Sequence, residues 1–276
     1  MERLGADESL FTSPGILEQD YLPRLLPYRE SQQQYLAECI KPLFDKRNGR
    51  NIMISGGSGI GKTACIKFIL RKLREEADGI VPIYVNCWKK DTSAKVVYNI
   101  GEQLGLKFLE RKSYDEVFDM VIKALNKERG IVFAFDEIDK VQDYAFLYRI
   151  LEDIPFKTVF FITNVPEWAS KLDQRLMSRL MLEREEFKPY NFEETRGILR
   201  EREKYAFVPN VWDYDAFEEI LKKTAELDDI RSGLFLLKRA GEIAEARASR
   251  KIEPADAEKA IEKLKAFYEK PENKFI

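Results

Sequence analysis

Short apolar runs and longer amphipathic segments alternate along the first two thirds of the chain. Four runs are almost entirely apolar and rich in β-branched and aromatic residues, at 51–55, 81–86, 131–136 and 158–163. Strands that are apolar on both faces are typical of a parallel sheet covered by helices. A fifth short run, 185–187, is a candidate to finish the sheet.

Segments with a helical spacing of apolar residues separate these runs. They lie near 62–77, 93–104, 114–128 and 142–153. Strands and helices that alternate at this spacing predict an α/β fold, in which right-handed crossovers connect the strands of a parallel sheet.

The pattern changes after Pro189. We find no convincing strand from 192 to 267, and apolar spacing predicts helices near 192–206, 213–227, 232–249 and 255–269. Two pairs of residues, Asp228-Asp229 and Glu253-Pro254, are typical of helix starts. This part of the chain is therefore predicted to be a small all-α domain.

The segment before the first apolar run combines a proline-containing stretch with one predicted helix. Proline occurs three times in residues 1–28, which indicates an extended arm, and the helical spacing from Glu30 to about Lys46 kinks or ends at Pro42. The predicted domains are an arm at 1–28, an α/β core at 29–188 and a helical domain at 189–270.

Composition narrows the class of protein. Hydrophobic residues make up 45% of the 276 residues and charged residues 34%, as in soluble globular proteins. No apolar run approaches the roughly 18 residues that cross a bilayer, and the first residues show no secretion signal, so we expect a cytoplasmic protein without membrane contact. A net charge of −2 argues against a surface that is basic throughout, but it permits a local basic face for nucleic acid.

The chain lacks the sets of side chains that zinc proteins and histidine-dependent enzymes use. The chain has no histidine, and its three cysteines, Cys39, Cys65 and Cys87, do not have the spacing of a zinc site. A zinc centre and catalysis through imidazole are therefore excluded. We expect the three thiols to be reduced and buried.

A glycine-rich stretch directly follows the first predicted strand. Residues 56–63, GGSGIGKT, match G-x-x-x-x-G-K-[ST] between a strand and a helix, which favours a phosphate-binding loop over a glycine turn that serves packing alone. The glycines let backbone N–H groups face an anion, and the helix that follows adds its dipole. Lys62 is expected to reach the β- and γ-phosphates and Thr63 to offer a hydroxyl to Mg²⁺. The predicted ATP/ADP-binding residues are Gly57, Ser58, Gly59, Ile60, Gly61, Lys62, Thr63 and Ala64.

Polar residues end the third and fourth predicted strands. Asp136 and Glu137 lie at a carboxyl end, where parallel sheets bind ligands. We predict that Asp136 holds Mg²⁺ through water and that Glu137 orients the attacking water. Asn164 either binds the γ-phosphate or that water, or is a turn residue ahead of Pro166.

Longer stretches resemble one family of AAA+ ATPases, the origin-recognition and cell-division-control replication initiators of archaea and eukaryotes. The resemblance covers about 10–265 and rests on LPRLLPYRESQ, GGSGIGKTACIKFI, YVNC, AFDEID, ITN, LDQRLMSRL, EEFKPYNFEETRGILRER and DDIRSGLFLLKRAGEIAEARASRKI. It implies a P-loop AAA+ core followed by a lid domain. It also implies a nucleotide switch that hydrolyses ATP slowly and assembles on nucleoid DNA.

The resemblance also implies a place for the adenine base. Pro27, Tyr28 and Arg29 would lie beside the base, and Tyr190 and Ile198 would close over it from the lid. Tyr28 stands where the family often has histidine, and its ring can still stack on a purine.

Further roles carried over from the family concern the phosphates. Asn164 would be the first sensor of the γ-phosphate, and Arg231 on a lid helix the second. Arg179 would act in trans on a neighbouring subunit's nucleotide, with Arg175 as its rival; both arginines also fit the solvated face of an amphipathic helix. The sequence DDIR replaces the usual Gly-Asp-x-Arg, which leaves the start of that lid helix in doubt.

The expected DNA contacts are modest. Family members usually continue into a winged-helix domain, which we expect to be absent from this chain. An insertion that touches DNA in the family corresponds to a stretch with Lys89 and Lys90 beside Trp88. The alternative is an ordinary solvated lysine pair next to a buried tryptophan.

Three functions follow from these patterns. The first is an ATP-driven switch that binds origin-like duplex DNA together with other initiator subunits or a replicative helicase, as a homo- or hetero-oligomer. The second is an ATPase that regulates or remodels a protein partner, like a clamp loader or a transposition regulator, without sequence-specific DNA binding. The third is a nucleotide-binding scaffold without turnover, against which the intact Lys62, Thr63, Asp136 and Glu137 argue.

Overall fold

The structure is a computed structural model that describes residue 4 and residues 8–269. The chain divides into two compact units. The core unit comprises Arg29–Gly57 and Gly61–Lys188. The helical unit comprises Met1–Tyr28, Ser58–Ile60 and Pro189–Ile276.

Five parallel strands form the sheet of the core unit, in the order β2-β3-β4-β1-β5. Their bounds are Ile52–Ser55 for β1, Ile80–Asn86 for β2, Gly130–Asp136 for β3, Lys157–Ile162 for β4 and Glu183–Glu186 for β5. The predicted α/β fold is confirmed. The fifth strand starts two residues earlier than expected, because Glu183 pairs with Ile52 at the start of β1.

Six helices belong to the core unit. They are α1 (Glu30–Ile40), α2 (Lys62–Glu76), α3 (Ser93–Gln103), α4 (Tyr114–Leu125), α5 (Ala145–Asp153) and α6 (Gln174–Leu180). The kink or end predicted at Pro42 is an end, since α1 stops at Ile40 and a 3₁₀ turn, Lys41–Asp45, follows it. α5 begins at Ala145, not at 142, because the carboxylate of Asp143 caps the N–H groups of Ala145 and Ser93.

The centre of the sheet supplies the core. Every residue of β3 and β4 is buried, and the rings of Phe135, Phe146, Phe161 and Trp168 contact one another with centroid distances of 5.0–6.0 Å. The three cysteines are free and buried, as expected. Burial raises the pKa of the Cys39 thiol to about 11 and that of the Cys65 thiol to about 12. These thiols are therefore protonated packing residues at neutral pH.

Four α-helices lie in the described part of the helical unit. They are α7 (Phe192–Ala206), α8 (Tyr214–Leu227), α9 (Ile230–Ala246) and α10 (Pro254–Glu269). In the described part of the arm a 3₁₀ turn lies at Pro14–Leu17, and Leu10 and Leu17 are buried in the core of this unit. No helix in the described part of the chain has the length and apolar character to span a bilayer.

The doubtful start of α9 is well defined. Asp228 occupies the left-handed region at φ 50°, where glycine is the usual residue and aspartate is one of the few tolerated alternatives. Asp229 caps the helix by accepting from the N–H of Arg231. The replacement of glycine by Asp228 thus leaves the helix start intact.

Candidate nucleotide-binding site

The loop between β1 and α2 has a backbone that needs glycine at three positions. Gly56, Gly59 and Gly61 have φ of 137°, 73° and 90°, a region that is costly for residues with a Cβ atom. α2 begins at Lys62 and is 15 residues long, so its free N–H groups and its positive dipole end adjoin the loop. This is the geometry in which a chain holds an anion with its own backbone.

Lys62 is a buried cation at the start of α2, only 6% exposed. Its Nζ donates to the carbonyl oxygens of Gly56, at 2.8 Å, and Gly57, at 2.5 Å, and to Oδ1 of Asn164, at 2.7 Å. The structure therefore brings the side chain of Asn164, just beyond β4, into contact with Lys62.

Asp136 ends β3 and is almost fully buried. Its Oδ2 accepts two hydroxyl hydrogen bonds of 2.7 Å, one from Thr63 and one from Tyr84. Its Oδ1 accepts from the N–H of Glu137 at 3.0 Å. The predicted metal ligands Thr63 and Asp136 are thus in direct contact, whereas sequence reasoning did not single out Tyr84.

Glu137 has an unusual backbone and an unusual acidity. Its φ of 55° lies in the left-handed region, a conformation that is often found at functional sites. Burial raises the pKa of Glu137, and the neighbouring carboxylates of Asp136 and Asp139 raise it further. A carboxylate with a raised pKa is a better proton acceptor, as the activation of water requires.

Asp139 links the acidic strand end to the end of β4. It accepts a 2.6 Å hydrogen bond from Oγ1 of Thr163, the neighbour of Asn164. It also pairs with Lys140, at 3.2 Å. These contacts support the position of Asn164 beside Lys62.

These groups fit a nucleotide with Mg²⁺. A glycine loop at a helix N-terminus and a buried ammonium group suit a chain of phosphates, and adjacent hydroxyl and carboxylate oxygens are ligands that Mg²⁺ prefers. Thr63 and Asp136 would hold the metal, and Lys62 would bind phosphate oxygens.

The helical unit contains the loop tip and Arg231. The guanidinium group of Arg231 donates to Oγ of Ser58, at 2.6 Å, and the N–H of Ile230 donates to the carbonyl of Gly59, at 3.3 Å. A Cβ atom at Gly59 would lie 1.9 Å from the carboxylate of Asp229. Arg231 therefore lies at the tip of the loop, and Gly59 is required by space as well as by φ.

The residues predicted to contact adenine are divided between the two units. In the helical unit, Tyr28 has a φ of 65°. Its hydroxyl oxygen lies 2.0 Å from the position that a Cβ atom would take at Gly197, so a side chain there would clash with it. Pro27, Tyr190 and Ile198 are half-buried in the same unit. In the core unit, Arg29 donates to the carbonyl of Lys188 at 2.7 Å and lies over a phenylalanine ring at the end of β5.

Arg179 lies at the amino edge of the sheet, by which we mean the side where the parallel strands begin. The phosphate loop follows β1 at the carboxyl edge, where the strands end. The carbonyl of Leu180, at the end of α6, accepts a hydrogen bond from Asn51, the residue before β1. The loop follows the other end of β1, roughly 10 Å along the strand. Arg179 pairs with Glu152, whereas Arg175 is exposed and pairs with no acidic side chain of the described residues.

The stretch after β2 differs from one expectation. Trp88 is 53% exposed, so the alternative of a buried tryptophan is wrong. Its ring lies 5.0 Å from Nζ of Lys140. Lys89 is exposed, and Lys90 pairs with Glu102 at 4.0 Å. The exposed ring beside lysines remains a candidate nucleic-acid contact.

A second basic and aromatic surface was missed in the sequence. Phe108, in the connection between α3 and α4, is 64% exposed and has a φ of 59°. Lys107 and Arg111 beside it are exposed, and Lys112 is half-exposed. We call residues 105–112 the α3–α4 loop. Its run LKFLERK in the sequence was the available signal.

Comparisons with known proteins give consistent results. A family described as an AAA domain matches residues 45–167, and one described as a Cdc6 AAA+ ATPase-type lid domain matches residues 196–262. The chain is similar to ORC1-type DNA replication protein 2 of Methanosarcina acetivorans, with 31% identity over 95% of this chain and 74% of that protein.

A curated sequence and a solved structure from Aeropyrum pernix are also similar to this chain. ORC1-type DNA replication protein 1 is 33% identical over 89% of this chain and 67% of that protein. The structure of the ORC1 protein in complex with DNA superposes with a TM-score of 0.83 and 31% identity, over 94% of this chain and 71% of that one.

Proposed function

Because the chain belongs to the ORC1-type DNA replication proteins, a family of AAA+ ATPases, we propose that it is an ATP-driven switch acting on duplex DNA at the initiation of replication. The cluster at the carboxyl edge of the sheet carries this proposal. There a buried lysine, a hydroxyl, two adjacent carboxylates and an amide oxygen lie next to a glycine loop. P-loop ATPases position and neutralise a triphosphate with these groups.

The binding roles follow the two units. We assign the phosphates to the loop and the start of α2, with the residues Gly57, Ser58, Gly59, Ile60, Gly61, Lys62, Thr63 and Ala64. We assign the adenine base to Pro27, Tyr28, Arg29, Tyr190 and Ile198. Tyr28 is 39% exposed, and an aromatic ring is suited to stacking on a purine.

The hydrolytic roles belong to the strand ends. Bound Mg²⁺ would offset the charge of the phosphate oxygens, with Thr63 and Asp136 as the residues that hold it. Glu137 takes a proton from the attacking water, and the amide of Asn164 orients that water. We expect slow ATP hydrolysis, since a switch must remain in its ATP-bound state long enough for assembly on DNA.

Two arginines extend the site. Arg231, whose guanidinium group lies at the loop tip, supplies positive charge in cis. Arg179, at the far edge of the sheet, supplies it in trans to a neighbouring copy or another initiator subunit. We therefore propose that copies of this protein, or this protein and other initiator subunits, assemble on DNA. A replicative helicase is the expected binding partner of that assembly.

Two exposed surfaces of the core unit are candidates for the DNA contact. One is Trp88 with Lys89 and Lys90, and the other is the α3–α4 loop. Each combines an exposed ring with lysine or arginine, which suits phosphates and a groove edge. The similar Aeropyrum pernix protein was solved in complex with DNA, and we propose that this chain binds duplex DNA, in the cytoplasm at the nucleoid.

An ATPase that acts on a protein partner is the alternative. The net charge of −2 favours it, as do the acidic partners of Lys90 and Lys95, namely Glu102 and Asp91. These ion pairs reduce the positive potential of the surface around Trp88.

ATP binding is tested first. Lys62→Ala should abolish tight Mg-ATP binding in a calorimetric titration, since it removes the buried ammonium group at the loop. Equal affinities of this variant and the wild type would contradict the proposal at its first step.

DNA binding is tested by titrating duplex DNA at two salt concentrations. Lys89→Ala/Lys90→Ala and Lys107→Ala/Arg111→Ala should each weaken binding and reduce the slope of log affinity against log salt by about 2. A matched variant removes two lysines near the other edge of the sheet, Lys41→Ala/Lys46→Ala, and should leave both quantities unchanged. Equal behaviour of all three variants would favour the protein-partner alternative.

A further inference from the structure

A phenol that the roles above leave out contacts the acidic strand end. The hydroxyl of Tyr84 donates to Oδ2 of Asp136 at 2.7 Å, and the same oxygen accepts from Thr63 at 2.7 Å. The other oxygen, Oδ1, is held by the N–H of Glu137. Hydrogen bonds on both oxygens stop the carboxylate from rotating, and Tyr84 is one of only two side chains among the described residues seen to donate to it.

The sheet fixes where this phenol lies. β2 and β3 are parallel and in register, with Asn86 opposite Asp136 and Tyr84 two residues before Asn86. Side chains two apart in a strand share one face, so Tyr84 is on the face of Asn86, while Val85 between them is buried on the other. The ring also lies 5.0 Å from Nζ of Lys67 on α2. A rigid strand and a helix thus hold the hydroxyl in place.

A purely structural hydrogen bond is the simpler explanation, and the core unit contains one for comparison. Tyr35 donates to Oε2 of Glu183 at 2.6 Å, at the start of β5. The side chain of Glu183 is 42% exposed and also pairs with Arg50. Asp136 differs because it is 2% exposed and shares its oxygen with the hydroxyl of Thr63.

We propose that Tyr84 is a positioning residue for the metal, because its hydroxyl fixes the orientation in which Asp136 meets the Mg²⁺ of the bound nucleotide. This inference rests on the proposed function of the site. Partners of metal-ligating side chains typically contribute 10–100-fold in metal affinity or activity. Tyr84 acts through Asp136 and does not touch the phosphates.

The test measures how much Mg²⁺ strengthens nucleotide binding, without any turnover. Wild type, Tyr84→Phe and Tyr35→Phe are titrated with a non-hydrolysable ATP analogue by calorimetry, in saturating Mg²⁺ and in excess EDTA. Tyr84→Phe should lower the ratio of the two affinities by about tenfold and leave the affinity in EDTA within twofold of wild type. Tyr35→Phe, which removes the same kind of bond at the other end of the sheet, should leave both affinities unchanged.

Three outcomes separate the possibilities. A wild type without any gain from Mg²⁺ contradicts the proposed function of the whole site. A wild type with the gain and a Tyr84→Phe variant with the same gain overturns the inference alone. An equal loss in Mg²⁺ and in EDTA also overturns it, because it shows that Tyr84 serves packing, and thermal melting of the variants confirms which are folded.

Discussion

The two edges of the central sheet hold their polar side chains in different ways. At the carboxyl edge, Lys62 and Asp136 are at most 6% exposed and are bound by short hydrogen bonds. At the amino edge, Glu183 and Arg179 form surface ion pairs, and their side chains are 42% and 46% exposed. Both edges carry charged side chains, and Lys157 at the start of β4 is buried as well. The contrast therefore lies between the buried hydrogen bonds of Lys62 and Asp136 and the exposed ion pairs of Glu183 and Arg179.

The difference follows from the cost of burial. A buried charge or hydroxyl must be satisfied by neighbours, since an unsatisfied group costs about 1–3 kcal/mol or more. Exposed ion pairs are each worth about 0–1 kcal/mol, because water screens them and long side chains lose entropy. The carboxyl edge is therefore pre-organised for chemistry within one chain, whereas the amino edge can exchange its partners, as contact with a second molecule requires.

The largest effect is expected when one carboxylate at the carboxyl edge is neutralised. Glu137→Gln keeps the size of the side chain and removes the proton acceptor, so ATP hydrolysis should fall by about 10²–10⁴-fold, as for loss of a general base. Mg-ATP affinity should remain near the wild-type value, because the phosphates are assigned to the loop. Phosphate release and calorimetry measure the two effects.

A matched control uses the other edge. Glu152→Gln neutralises an exposed carboxylate that pairs with Arg179, and its hydrolysis at low protein concentration should equal that of wild type. Undiminished phosphate release by Glu137→Gln would remove Glu137 from its role as the base.

The amino edge yields the second prediction, which concerns concentration. If Arg179 acts on a neighbour's nucleotide, ATPase activity per molecule rises as subunits assemble on DNA. Arg179→Ala should remove this rise and leave the rate of dilute protein unchanged, since the residue is at the far edge from its own loop. Arg175→Ala, one helical turn away, should keep the rise within twofold; the reverse result would exchange the two roles.

Sequence reasoning succeeded where chemistry is tied to a strand end. The fold class and all five strands were predicted, although β5 is charged and partly exposed and its start was predicted two residues late. The central strands could be predicted because strands buried on both faces are continuous apolar runs. Lys62 and Asp136 could be predicted for the same reason, since a motif next to such a run has a known place in a parallel sheet. The structure indeed places both at the carboxyl edge.

Other features depend on contacts between distant positions. Tyr84 meets Asp136 across 52 residues and through the register of β2 with β3, which composition does not specify. The sequence leaves two alternatives for Trp88, a nucleic-acid contact beside lysines or a buried side chain, and the structure places it in a turn beyond β2, outside the core. The late start of α5 depends on the hydrogen bond from the N–H of Ser93 to Asp143. This contact joins residues 50 positions apart, so the helix propensity of the local sequence does not predict it.

The smallest predicted effect tests the exposed edge itself. Glu183→Gln removes a charge that accepts from Tyr35 at 2.6 Å and from Arg50 at 3.2 Å. Because the carboxylate and Arg50 are about 40% exposed, the free energy of unfolding should fall by less than about 1 kcal/mol, with nucleotide affinity unchanged. Urea unfolding measures the first quantity and calorimetry the second. A loss of 3 kcal/mol or more, or weaker nucleotide binding, would mean that the two edges are held equally tightly, and the proposed division between them would be wrong.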